Sequence, residues 1–192
     1  MFHHIIREKS QAWAASPTCP AKALLDYITA QDKMRDAQIE AIETYLFLKI
    51  AHGNKPLHEL FASGAIVSSA TLDDEPLKTA VRDYLKANPA TVALREYARA
   101  TKSAKLLTLL ENSPEKVDAP KVLRELFYGV TYTDYIFSLP MGAGKTFLMA
   151  AFIYLDLYFA QNEPDNKAFA HNFIIFAPSG LKSSVIPSLK TI

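Results

Sequence analysis

Thr133-Asp134-Tyr135-Ile136-Phe137-Ser138-Leu139-Pro140-Met141-Gly142-Ala143-Gly144-Lys145-Thr146 is the stretch on which the reading of this chain turns. Its first five residues are mostly β-branched or aromatic and read as a strand. Its end sets two glycines before a lysine and a threonine, at the start of a long apolar helical run. Strand, glycine-rich loop and helix in that order are the context a phosphate-binding loop requires. The glycines let the backbone turn tightly, so that successive N–H groups face phosphate oxygens. Met141, Gly142, Ala143, Gly144, Lys145 and Thr146 are then the nucleotide-contacting residues. Lys145 would reach the β- and γ-phosphates, the Thr146 hydroxyl would hold Mg²⁺, and the helix would turn its positive end to the same anion. One position departs from the usual pattern, since Leu139 stands where the outermost glycine is expected. The plainer alternative is a glycine turn followed by an exposed lysine at a helix start.

Outward from this loop, the 192 residues suffice for one large domain or two small ones. A hydrophobic share of 49% against 21% charged describes a globular protein with a core. Net charge is +1, so nucleic-acid affinity would have to come from a local patch rather than an overall field. The single cysteine, Cys19, excludes an internal disulfide framework and a multi-cysteine metal site, and a reducing cytosol is the default compartment. The start Met1 to Arg7 lacks the apolar stretch of about 7–15 residues that a secretory signal needs. His3 and His4 have no third metal partner in view and read as solvated. Phe147 to Ala160 falls short of the ~20 residues that span a bilayer and carries Asp156, so it reads as a buried crossover helix.

Periodicity predicts a helix from near Pro20 with Leu24, Leu25, Tyr27 and Ile28, and a stronger one from about Asp36 to Ala51 with Ile39, Ile42, Leu46 and Ile50 on one face. Gly53 and Pro56 end it. From Leu57 to Gly129 every periodic stretch reads as helical, which predicts an all-α insert. After Gly129 the period changes. Tyr132 to Ser138 reads as a strand, Lys145 to Ala160 as a helix, and Asn172 to Ala177 as a second strand, a parallel βαβ unit with a right-handed crossover. The divisions expected are 1–56, 57–129 and 130–192. Two strands are too few for a doubly wound sheet, and the chain stops at Ile192 in a helix-like stretch; both suggest part of a longer protein.

Three stretches resemble one family. Met34-Arg35-Asp36-Ala37-Gln38-Ile39-Glu40-Ala41-Ile42 resembles the Q-motif region of superfamily 2 helicases. Phe176-Ala177-Pro178-Ser179-Gly180-Leu181-Lys182 resembles their motif Ia, and Leu139 to Thr146 is similar to their motif I, whose first position is often not glycine. Within that superfamily the chain resembles in particular the type III restriction enzyme Res-subunit group and its DEAD/DEAH-like relatives, over about residues 34–52 and 132–192. The resemblance implies an α/β fold, the first part of a RecA-like P-loop domain, joined to the large all-α portion. It implies that Gln38 hydrogen-bonds the adenine edge, that Arg35 supports the same loop, and that Pro178 and Ser179 approach a nucleic-acid backbone. ATP and Mg²⁺ would be the cofactors, with Lys145 and Thr146 the catalytic pair. DNA and a modification or specificity subunit would be the partners, in the cytoplasm and without a membrane.

Hydrolysis also needs an acidic pair at the end of another strand. Asp156 lies in the helix after the loop and cannot serve, and Asp73-Asp74-Glu75 read as a solvated helix cap. The chain is therefore expected to bind ATP without efficient turnover. Arg95, Arg99 and Lys102 recur at helical spacing and read either as a solvated face or as phosphate contacts. Two other classes stay open: a small-molecule phosphotransferase using the same loop, and a non-catalytic module that senses nucleotide.

Overall fold

A computed structural model describes residues 2–67, 70–176 and 187. The helices are α1 (Phe2–Ala15), α2 (Lys22–Ala30), α3 (Asp36–Leu46), α4 (Leu57–Ala62), α5 (Thr79–Ala87), α6 (Pro89–Ala100), α7 (Ala104–Asn112), α8 (Ala119–Leu126) and α9 (Lys145–Asn162). A π turn, Phe47–Ala51, continues α3, and 3₁₀ turns occupy Ala70–Asp74 and Pro114–Lys116. The chain divides into two compact units, one of residues 1–9 and 55–135, the other of residues 10–54 and 136–192.

In the first unit α6 packs against α4, α5, α7 and α8. Asn88-Pro89 starts it where a residue with fixed φ and no N–H is tolerated. Its inner face buries Ala93, Leu94 and Ala98 completely. Around Phe61, itself fully buried, the Phe2 ring lies 4.4 Å away and 5.1 Å from that of Phe127. Arg95 departs from the exposed stripe read in the sequence: it is 1% exposed, and its Nη2 donates to Glu75 Oε2 at 2.5 Å and Glu111 Oε1 at 2.7 Å. Arg99 pairs with Glu75 as well. Glu75 is thus a partly buried ion-pair partner rather than a solvated cap.

In the second unit α3 packs against α2 and α9. Ile42 and Leu46 of α3 are fully buried, with Leu148, Ala151 and Leu155 of α9 in the same cluster. The Tyr45 and Phe152 rings stack at 4.1 Å. Asp156 is 2% exposed and is the polar centre of this core. It accepts from Tyr45 Oη at 2.7 Å, Lys49 Nζ at 2.8 Å and the Ala170 amide at 3.0 Å.

The expected α/β fold is overturned. Among the described residues there is no strand and no sheet, so the RecA-like domain with its parallel βαβ unit is not formed. The helix after the loop is present as α9, but 132–138 and 172–176 on either side of it have no regular secondary structure. Their β-branched and aromatic content gives a preference for strand, and a strand exists only where a neighbour completes the hydrogen-bond ladder. Ile136 is 78% exposed and Ile174 82%, so neither side chain is covered as a central strand would be. Conversely, α1 forms where no helix is expected. Ile6, Ser10 and Ala14 line its buried face at intervals of four, and the polar Ser10 breaks the apolar signal.

Candidate functional site

The loop before α9 is built from two glycines in the left-handed region, Gly142 at φ 77° and Gly144 at φ 76°. A residue with a Cβ adopts these values at a cost. The Ala143 amide donates to Pro140 O at 3.2 Å, which closes the turn. Gly144 caps α9, and its carbonyl accepts the first helical bond, from the Leu148 amide at 3.0 Å. The first-turn amides of α9 have no partner within the helix, as at any helix start, and the macrodipole makes that end positive. Met141 at the tip is 98% exposed, Gly142 and Gly144 are exposed, Ala143 is buried and Thr146 is half-buried. Lys145 is exposed, and its Nζ donates to Pro140 O at 3.1 Å, folded back over the loop.

The start of α3 lies against this loop. Arg35 Nη1 donates to the Gly142 carbonyl, and Gln38 Nε2 donates to the Gly144 carbonyl at 3.1 Å. Gln38 Oε1 accepts from the Arg35 amide at 2.9 Å, which is one half of a capping box. Arg35 carries only donors, so the reciprocal half is not made. Gln38 is 4% exposed, whereas Arg35 is exposed. The approach is close enough that a Cβ on Gly144 would stand 2.6 Å from Gln38 Nε2. Beside Lys145 is a groove of about 400 Å³ lined by Phe137, Leu139, Phe152 and Phe173.

The sequence-predicted residues Arg35, Gln38, Met141, Gly142, Ala143, Gly144, Lys145 and Thr146 therefore meet in one place, although more than a hundred positions separate the first two from the rest. Pro178 and Ser179 lie outside the described residues. The groups that could hold a triphosphate are the exposed glycine backbone, the positive helix end and the Lys145 ammonium. Mg²⁺ would find the Thr146 hydroxyl. No group of three or more His, Cys, Asp or Glu placed to hold a metal occurs among the described residues. Asp156 is eleven residues into α9 from Lys145, about 16 Å along the axis at 1.5 Å per residue, and its oxygens are already bonded. Sequence reasoning missed its partners Tyr45 and Lys49. The signal was there, because a carboxylate inside an apolar helix requires a buried donor.

No family model, no curated protein and no solved structure matches the chain. Among the described residues no helix is long and apolar enough to cross a membrane.

Proposed function

We propose that this chain binds a nucleoside triphosphate, ATP with Mg²⁺, through the backbone of Gly142 to Thr146 and the side chains of Lys145 and Thr146. We further propose that it does so as part of an ATP-dependent DNA helicase or translocase of the restriction type. The observation that carries the nucleotide reading is the loop itself: two left-handed glycines lead directly into the N-terminus of an eighteen-residue helix whose first residues are Lys145 and Thr146. Anions are favoured at such an end by orphan amides and the helix dipole together. The helicase reading is supported by the resemblances around Gln38, the loop and Ser179.

In this reading Lys145 exchanges its neutral acceptor, Pro140 O, for a phosphate oxygen, a charge-assisted bond that is shorter and stronger. Calorimetric titration with Mg·ATP tests it. Lys145→Ala is expected to weaken binding by about 2–3 kcal/mol, the range for a hydrogen bond to a charged group. Equal affinity in the two proteins would remove the loop from nucleotide binding. For the second part, DNA-stimulated ATP hydrolysis by the longest natural form of the protein is the measurement, and its absence would exclude a translocase.

A further inference from the structure

Resting on that nucleotide reading, we propose that Arg35 and Gln38 act as a clamp on the phosphate loop, so that Gln38 serves phosphate binding in general rather than recognition of the base. The two residues hold the carbonyls of the two left-handed glycines, Gly142 and Gly144. Glycine peptides are the ones most free to rotate, so an untethered loop would sample many orientations of its amides. A trans peptide is planar, with its C=O and the next N–H pointing in opposite directions. Fixing the Gly144 carbonyl therefore fixes the Lys145 amide on the opposite side of the same plane. That carbonyl accepts from both Leu148 N and Gln38 Nε2, which leaves it no freedom to turn. A preorganised set of donors binds an anion without the ordering cost a loose loop incurs.

Gln38 is poorly placed to read a base. The residue is 4% exposed, and its side-chain amide is tied to backbone at both ends, through Oε1 to the Arg35 amide and through Nε2 to Gly144 O. Reading adenine would demand that the edge of the amide face the ligand. Arg35 works from the exposed side, and its guanidinium holds the turn that Ala143 N and Pro140 O close. Gly144 is required for a second reason besides its φ, since a methyl group there would occupy the space of the Gln38 amide.

The test compares Mg·ATP, Mg·GTP and inorganic tripolyphosphate by calorimetry on the full chain, wild type against Gln38→Met, with circular dichroism as the check on folding. A clamp predicts that all three ligands lose affinity by the same factor, about five- to tenfold for one neutral hydrogen bond. It also predicts faster amide exchange at residues 142–146 of the ligand-free variant, with exchange around Ala151 and Leu155 unchanged. A loss confined to ATP would make Gln38 a base reader and overturn the clamp, as would unchanged binding of all three. If the wild type binds none of them, the nucleotide reading itself fails; if it binds ATP but not tripolyphosphate, the grip is on the base and the clamp fails alone. Should Gln38→Met not fold, Gln38→Asn retains the amide but withdraws it by one methylene from Gly144, and the same comparisons apply.

Discussion

Asp156 shows how one buried charge is made tolerable. An unpaired carboxylate in an apolar core is expensive, and here a phenol, an ammonium and a backbone amide surround it. Lys49 is in turn held over two rings, 5.1 Å from the centroid of Tyr45 and 5.5 Å from that of Phe169. Both charges are nearly inaccessible, at 8% and 2% of side-chain exposure. Removing one partner leaves the other uncompensated. Asp156→Ala should therefore destabilise its unit by about 3–5 kcal/mol in urea unfolding. The double variant Asp156→Leu with Lys49→Met should recover most of that loss, because a hydrophobic pair of similar volume often replaces a buried ion pair without penalty. A double variant as unstable as the single one would show that packing and the stranded Tyr45 hydroxyl and Ala170 amide, not the stranded charge, set the cost.

By sequence alone helix α6 carries a basic stripe, and neighbouring elements change its meaning. Arg95 and Arg99 are one turn apart, and Glu75 lies between them, bonded to both. The two guanidinium hydrogen bonds, Arg95 first, pull the Glu75 carboxyl down from 4.5 to about 2. A carboxylate with a lowered folded-state pKa contributes stability that is complete above its unfolded value and disappears as pH falls through the folded one. The thermal midpoint of this unit should therefore fall between about pH 4.5 and pH 2, and Glu75→Gln should flatten the fall while lowering the plateau near neutrality. An unchanged slope in that variant would assign the acid sensitivity to other carboxylates. Spacing at i and i+4 put the arginines on one face, but only the fold around α6 brought Glu75 and Glu111 to them.

Across the chain, apolar surface is distributed unevenly. Ile42, Leu46, Leu85, Leu94 and Leu123 on the helices are fully buried, yet Ile136, Ile174 and Phe176 outside them are 78%, 82% and 92% exposed. Side chains that exposed contribute little to folding, and clustered apolar residues of high β-propensity favour association. Ile174→Lys with Phe176→Lys should leave unfolding free energy within about 0.5 kcal/mol of wild type, as for ordinary surface positions. Light scattering at high concentration should show less self-association of that variant. A loss well beyond that range would mean these side chains are packed in solution.

Local chemistry was legible in the sequence. The loop glycines, the lysine and threonine at a helix start, the helix from Asp36 and the all-helical content of 57–129 follow from short-range rules of turn, cap and period, which a single segment satisfies alone. The two stretches read as strands did not follow, because a strand is a property of a pair and no partner completes them among the described residues. The same reasoning separates the site residues. Lys145 and Thr146 announce themselves beside their glycines, whereas the bonds from Arg35 and Gln38 to loop carbonyls over a hundred positions away exist only once α3 packs on α9. Polar groups in the core divide likewise: the sequence shows that Asp156 needs a partner, and tertiary packing alone selects Tyr45, Lys49 and the Ala170 amide.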